Sequence, residues 1–266
     1  MKNSTLILKL AVTLLFLGAF LTRCASIMSP EGGPKDTLPP VITNITPGNF
    51  KTNFTDKDKK IYIEFNEYVQ IKDQNKEMFT SPAMKKMPLI ATRGKGIVIT
   101  IRDTLKENQT YAIDLGSAIR DNNEGNPLGN FAFLFSTGDR IDTLAVSGTV
   151  LNAENLEPIK GILVGLHSDL ADSAFTTKPF ERVSRTDADG RFTIRGIAPG
   201  TYRAYALQDA NQNYIFDQKS EMIAFVDRVV SPYSAPDVRQ DTIWHDSIYY
   251  DSIVNVNYTH YYPDDI

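Results

Sequence analysis

Apolar and polar residues alternate in short runs between residues 41 and 138, and this pattern predicts most of the regular structure there. The runs lie at residues 61–65, 97–101, 111–115 and 131–135. A period of two residues places one face of a strand on a core and the other face in solvent. Turn-forming residues separate the runs, at 93–96 and 121–127. Short strands with regular turn signals and no helical period predict an antiparallel β-sandwich.

A second β-rich region covers residues 144–227, after the polar segment 139–143. Its strongest local signal is the turn sequence Asp-Ala-Asp-Gly at residues 187–190, which lies between two strand-like runs and predicts a β-hairpin. We expect Phe192, Ile194 and Tyr202 to lie inside the core of this region. Earlier in the chain, residues 71–78 fit either one helical turn or a loop.

The N-terminus carries a short apolar run, residues 10–21, followed by Cys24, the single cysteine of the chain. Basic residues precede the run, which at 12 residues is shorter than the roughly 20 that a membrane-spanning helix needs. Residues 1–23 are therefore predicted to be a signal peptide. The position of Cys24 resembles the lipobox of bacterial lipoproteins, and the resemblance implies an acylated thiol at the mature N-terminus. A plain signal peptide or an uncleaved anchor would fit the same apolar run.

Residues 24–40 contain four prolines and two glycines and are predicted to be an extended, lipidated tether. The whole chain has 28 basic and 32 acidic residues, a net charge of −4, which argues against nucleic acid as a partner. One cysteine excludes internal disulfides, so each domain must be held by its core.

Two segments resemble known families. The first segment resembles the SbsA-type bacterial Ig-like domain over residues 41–139. The resemblance is carried by Pro39-Pro40-Val41 and by residues 61–67, 105–111 and 133–138. That resemblance implies a spacer or adhesive module of the cell surface without catalysis. The second, residues 189–202, is similar to the signature of carboxypeptidase-regulatory-like domains over residues 144–227. These are prealbumin-like sandwiches that act as folding aids, spacers or binding platforms, and not as the catalytic part of a peptidase.

One segment has the spacing of a calcium loop. Asp209, Asn211, Asn213 and Asp217 place oxygen side chains at relative positions 1, 3, 5 and 9, and Glu221 follows. Position 6 is Tyr214, where an EF-hand has glycine. The alternative is an Asn- and Asp-rich turn whose side chains bond their own backbone. The loop at residues 121–126 is rich in the same residue types, but no spacing there fits a ligand set, which favours a plain loop.

The sequence offers little for catalysis. His167 follows a strand-like run and is expected at the surface, while His245 and His260 lie in the tail. None of the three lies in a known catalytic motif. We therefore expect a protein that is not an enzyme and that needs no cofactor other than a possible calcium ion.

Residues 228–266 form an aromatic-rich tail, whose tyrosines fit either strand faces or a stacking site for glycan or peptide. The tail could be an extra strand pair, a disordered segment or the start of a further domain. Taken together, the chain is predicted to be all-β, with two tandem antiparallel β-sandwiches, Ig-like and prealbumin-like, after a lipoprotein signal peptide. The expected function is a non-catalytic, lipid-anchored spacer or interaction module of the cell envelope, at the outer membrane, with an envelope protein or glycan as partner. The alternatives are a calcium-dependent glycan- or protein-binding surface lipoprotein and the N-terminal part of a larger envelope protein.

Overall fold

Strands make up nearly all the regular structure in the computed structural model, which describes residues 36–129, 131–243 and 252–266. Within those residues the helical elements are single turns, Asp56–Asp58, Gln74–Glu77 and Ala174–Thr177. The turn at Gln74–Glu77 lies in the segment that the sequence left open between helix and loop. The signal peptide and residues 24–35 of the tether, with Cys24, lie outside the described residues.

The first sandwich contains nine strands. They are β1 (Ile42–Thr46), β2 (Lys60–Phe65), β3 (Val69–Ile71), β4 (Phe79–Ser81), β5 (Leu89–Thr92), β6 (Gly96–Thr100), β7 (Thr110–Asp114), β8 (Ile119–Asp121) and β9 (Ala132–Ser136). A four-stranded sheet has the order β1-β2-β6-β5 and a three-stranded sheet the order β4-β7-β9, while β3 pairs with β8. All these ladders are antiparallel, as the sequence predicted.

The core of the first sandwich comes from the alternating residues. Ile61 and Ile63 of β2 face Phe133 and Phe135 of β9 in one buried cluster. Phe135 stacks on Tyr111 with ring centroids 5.4 Å apart. Burial of these side chains supplies the main stabilisation, since a fully buried large apolar side chain contributes about 1.5–3 kcal/mol.

The prediction that each strand has one face in solvent was wrong for β7 and β9. Every residue of both strands is buried. Their outer face forms a small cluster of Ala112, Ala132 and Leu134, and Ile141 of the interdomain segment packs against it. Because this face is covered by the rest of the chain, alternation alone could not show its burial.

The second sandwich contains six strands. They are β10 (Leu144–Thr149), β11 (Leu163–His167), β12 (Arg182–Arg185), β13 (Arg191–Ile197), β14 (Arg203–Leu207) and β15 (Ile223–Phe225). One sheet is the pair β10-β13 and the other has the order β12-β11-β14-β15, all antiparallel. The expectation for the core is confirmed, because Phe192 is 5% exposed, and Ile194 and Tyr202 are also buried.

The predicted hairpin around residues 187–190 was wrong. The chain does turn there, and Asp187 Oδ1 accepts the N–H groups of Asp189 and Arg191, both at 2.9 Å. However, β12 pairs with β11 and β13 pairs with β10, so the turn connects the two sheets. A turn signal reports a local reversal only. Val183 and Ser184, successive residues on opposite faces of β12, are both buried, and β12 lies beside β11 at the edge of the four-stranded sheet.

The tail forms a long hairpin, which we call the arm, made of β16 (Tyr233–Ile243) and β17 (Ser252–Tyr262). Its aromatic residues form a cross-strand ladder on one face. Tyr233 stacks on Tyr262 at 4.9 Å, and Tyr262 stacks on His260 at 4.1 Å. These cross-strand ring contacts stabilise the hairpin.

Residues 263–266 lie along β10 and hold the base of the arm on the second sandwich. Ser147 N–H donates to the Pro263 carbonyl at 3.0 Å, and Thr149 N–H donates to the Ile266 carbonyl at 2.9 Å. Gly148 lies under Ile266, where any added Cβ would overlap the Ile266 backbone. The absence of a side chain at Gly148 therefore permits this contact.

Candidate functional site

The calcium-like loop follows β14 and lies between it and β15. Asp209 is turned toward the backbone, where its carboxylate accepts the N–H groups of Gln212 at 2.7 Å and Tyr214 at 2.9 Å. Tyr214 has a φ of +65°, the left-handed conformation that glycine would adopt more easily. Its ring packs against the core cluster around Phe180, which compensates for this backbone conformation.

The other three predicted ligands meet one another. Asp217 accepts hydrogen bonds from the side-chain amides of Asn211 at 3.2 Å and Asn213 at 2.6 Å. The amide oxygen of Asn211 accepts the backbone N–H of Asn213, and the amide oxygen of Asn213 accepts the backbone N–H of Ile215. Turning either amide by 180° would direct an oxygen toward a cation near Asp217, at the loss of one backbone hydrogen bond each.

Glu221, the acid that follows the predicted ligands in the sequence, supports the loop through its backbone. Its carboxylate is buried and accepts the N–H of Ala210 at 3.1 Å and that of Gln218 at 3.3 Å. In the part of the chain that the structure describes, no three His, Cys, Asp or Glu side chains are grouped so that they could hold a metal ion. A calcium site here would therefore depend on the asparagine oxygens, and calcium binding stays a prediction.

Calcium should raise the melting temperature of the protein if the loop binds it. Binding stabilises the folded state by about 1.4 kcal/mol when free calcium is tenfold above Kd. We expect a small upward shift at millimolar calcium, measured by thermal unfolding, that disappears in the double variant Asp209→Asn/Asp217→Asn. The double variant Asp227→Asn/Glu154→Gln removes two exposed acids and serves as the control for net charge. A wild type that melts at the same temperature with calcium and with chelator would show that the loop is an Asx turn only.

The loop at residues 121–126 is organised by Asp121. Its buried carboxylate accepts four backbone N–H groups at 2.6–2.9 Å, those of residues 123, 124, 125 and 126. Loss of solvent raises the pKa of Asp121, but the four hydrogen bonds together hold it below its usual range. The carboxylate is thus used to cap the loop, which agrees with the plain-loop interpretation.

His167 was expected at the surface, and this was wrong. It is 0% exposed at the end of β11, and neither ring nitrogen has a hydrogen-bond partner. Its ring lies 5.1 Å from that of Phe180 and 6.1 Å from that of Tyr205. Burial lowers the pKa of His167. The nearby carboxylates of Glu181 and Asp169 partly oppose this shift, and the charge of Lys178 adds to it. The segment that carries Phe180 covers the end of the strand, and nothing in the local sequence announces that cover.

The stability of the second sandwich should fall when the pH drops below 6.5. The pKa of His167 is lower in the folded state than its ordinary value of 6.5. The stability that the neutral imidazole contributes is therefore complete above pH 6.5, and it is lost as the pH falls toward the folded pKa. We expect His167→Leu to lose this part of the pH dependence, measured as urea midpoints between about pH 5.5 and about pH 7.5.

His260 in the arm provides the control for that measurement. Hydrogen bonds to Asp264 and Asp237 raise the pKa of His260, although burial opposes them. The stability that the charged imidazole contributes is therefore present below pH 6.5 and is lost as the pH rises through the folded pKa. His260→Gln should therefore keep the loss of stability on acidification. A His167→Leu protein with the full acid-side loss of the wild type would contradict the assignment to His167.

A polar site lies at the joint between the two sandwiches. Arg182 of β12 is 7% exposed, and it donates to the carbonyl of Thr110 in the first sandwich at 2.7 Å. Its guanidinium also lies 3.6 Å from the carboxylate of Asp142 in the interdomain segment. Next to it, Val183 N–H donates to Ser81 Oγ at 3.0 Å. One buried cation thus connects both domains and the segment between them.

Apolar contacts and ion pairs continue this joint. Phe79 of the first sandwich packs in a cluster with Leu163, Val183 and Tyr205 of the second. Two ion pairs also cross the joint, Lys160 with Glu77 at 3.5 Å and Arg195 with Asp114 at 3.7 Å. Burial raises the pKa of Asp114, while Gly116 N–H and Arg195 lower it. The two domains therefore share one hydrophobic cluster, and residues 37–266 behave as one compact unit.

Sequence comparison identifies the first sandwich. Residues 36–137 match the family model described as a bacterial Ig-like domain. The first sandwich is a bacterial Ig-like domain. The matched residues begin before β1 and end after β9, so they include the whole of the first sandwich. An Ig-like domain is typical of structural and interaction modules. No curated protein matches the chain.

Several solved structures have low similarity to the chain. The N-terminal part of the bacterial S-layer protein SbsC is 13% identical with a TM-score of 0.25, and the match covers 72% of this chain and 45% of that one. The T6 backbone pilin of Streptococcus pyogenes is 9% identical with a TM-score of 0.21, over 85% and 67% of the two chains. The pilus 2b backbone protein of group B streptococcus is 12% identical with a TM-score of 0.20, over 68% and 82%. Among the described residues, no helix is both long and apolar enough to cross a membrane.

Proposed function

We propose that this protein is a non-catalytic, lipid-anchored module of the bacterial cell envelope, in which two sandwiches form a stiff spacer at the outer membrane. The observation that carries the proposal is the joint at Arg182, because it fixes the Ig-like domain to the second sandwich through hydrogen bonds and a shared apolar cluster. A flexible linker would leave the two domains free to reorient. The Ig-like family match supports a structural or interaction role.

The anchoring part of the proposal rests on the apolar run at residues 10–21 and on Cys24. Two or three acyl chains would hold the protein stably at a membrane, since one chain alone gives only marginal binding. Cells fed an alkyne fatty acid should label the wild-type protein and leave Cys24→Ser unlabelled. Equal labelling of the two proteins would refute acylation at this residue.

The second sandwich is proposed to be a carboxypeptidase-regulatory-like module over residues 144–227, working as a spacer or a binding platform. Its support is the segment 189–202, which supplies the buried residues Phe192 and Ile194 and the turn before Tyr202. Tyr202 closes that turn by donating its hydroxyl to the Ala198 carbonyl at 2.9 Å.

A second candidate function is calcium-dependent binding of a glycan or an envelope protein. The convergence of Asn211, Asn213 and Asp217 above the buried Glu221 favours it. A glycan array probed with and without chelator tests this candidate, because calcium-ordered binding requires a signal that chelator removes. A signal that is unchanged by chelator would exclude the calcium-dependent form. If the chain is the N-terminal part of a larger envelope protein, the spacer function would apply to that protein as well.

A further inference from the structure

The two strands of the arm differ in charge. On β16, Asp237, Arg239 and Asp241 carry charges of both signs, and Pro236 has no backbone N–H to donate to a neighbouring strand. On β17 the sequence is Ser-Ile-Val-Asn-Val-Asn-Tyr-Thr-His-Tyr-Tyr, without Lys, Arg, Asp, Glu or Pro. Charged residues and proline are the usual protection of an edge strand against pairing with another chain, and β17 has neither.

Among the described residues, the two halves of β17 differ in what lies beside them. The half next to Tyr262 lines a cleft with β10 and β13, formed by Tyr258, His260, Ser147 and Arg195 among others. The half at Ile253–Asn257 does not line this cleft, and Ile253 is 69% exposed. Within the described residues the arm is a sheet of two strands, β16 and β17. The outer edge of Ile253–Asn257 therefore presents backbone groups without a third strand.

We propose that Ile253–Asn257 pairs antiparallel with the same segment of a second copy of this chain, and so joins two arms into a four-stranded sheet. The pairing is centred on Asn255, which lies opposite Asn255 of the second copy. In this register Val254 faces Val256 of the second copy, and Val256 faces Val254 of the second copy. The contact is isologous, so it closes at a dimer.

A second copy fits this edge better than a charged partner strand. The segment has no charged side chain that could pair with a charge on a partner strand. The proposed register instead places Val254 and Val256 of the two copies opposite each other on one face. On the other face the two Asn255 amides each have a donor and an acceptor, so they can bond mutually. The charged β16 strands stay on the outside of the sheet. An isolated two-stranded hairpin is marginally stable in water, and the added strands stabilise the arm.

Disulfide trapping tests the register directly. Residues directly opposite in an antiparallel pair have Cα atoms about 4.5–5.5 Å apart, within the range for a disulfide. In the full chain carrying Cys24→Ser, we expect Asn255→Cys to form a covalent dimer under mild oxidation. The matched control is Gln240→Cys, the cross-strand neighbour of Asn255 on β16, which should stay monomeric. Equal dimer yields for the two variants, or no dimer from Asn255→Cys, would overturn the proposal.

Sedimentation of the same Cys24→Ser chain supplies the second test. We expect its mass to rise from monomer to dimer with concentration, and Asn255→Lys to weaken the association about tenfold or more, because the two lysines meet at the dyad. Gln240→Lys should associate like the parent chain. Unchanged melting of both variants shows that they are folded. A parent chain that stays monomeric over the whole concentration range would overturn the proposal as well.

Discussion

Replacing Phe192 with alanine should lower the free energy of unfolding of the protein by about 3–5 kcal/mol, the typical loss for a buried aromatic residue. The ring of Phe192 lies in the core cluster of the second sandwich with Val146, Ile194 and Tyr202. Alanine would leave a cavity that the surrounding strands can fill only in part. Urea unfolding followed by fluorescence measures the loss as a shift of the transition midpoint.

The neighbour Thr193 provides the control for Phe192, because it lies on the opposite face of β13 and is only half-buried. Thr193→Ala should shift the midpoint far less than Phe192→Ala. If the two variants unfold at the same urea concentration, Phe192 does not lie in the core and the register of β10 with β13 is incorrect.

Replacing Arg182 with alanine should weaken the joint by about 1.5–3 kcal/mol, the usual contribution of a hydrogen bond to a charged group. The variant leaves the Thr110 carbonyl without its 2.7 Å donor and the Asp142 carboxylate without its cation. We expect the single unfolding transition of the wild type to separate into two in calorimetry, because the sandwiches then unfold independently.

Arg185 is the matched control, as it is an arginine of the same strand whose guanidinium donates to Gly161 within the second sandwich at 3.4 Å. Arg185→Ala should keep one transition, near the wild-type temperature. One sharp transition in Arg182→Ala at an unchanged temperature would contradict the role assigned to the joint.

The strands were largely predictable from the sequence, because their signals are local. Ile61, Ile63 and Phe65 alternate with polar or half-exposed neighbours, and β2 has the burial pattern that this alternation implies. Phe192 and Ile194 were placed in the core by the same reasoning, and they lie there. The match of residues 36–137 to the bacterial Ig-like family confirms the class of the first domain.

The contacts between elements were not predictable in this way. The hydrogen bond of Arg182 to Thr110 joins residues 72 positions apart, and no local pattern in either strand indicates it. The burial of His167 results from the segment around Phe180, and the covered outer face of β7 and β9 results from Ile141 and the rest of the chain. Turn chemistry at Asp187 showed where the chain reverses, but the partner of each flanking strand depends on which faces must be buried.

The candidate calcium loop was visible because its residues are adjacent in sequence. Spacing could predict that Asn211, Asn213 and Asp217 meet, and they do. Asp209 instead turns toward the backbone, as the alternative of an Asx turn implies, and spacing alone could not decide between the two arrangements. Whether the amide oxygens turn to a cation is decided by the calcium titration described above.

If the two sandwiches form one stiff unit, the distance between them has a single, narrow distribution. Measuring that distribution is the most direct test of the stiff spacer. Spin labels at the exposed positions Leu89→Cys in the first sandwich and Met222→Cys in the second, in the Cys24→Ser chain, report this distance by pulsed electron resonance. We predict one narrow distance peak for this protein and a broader one when Arg182→Ala is added. A broad or multiple distribution with Arg182 intact would contradict the stiff spacer.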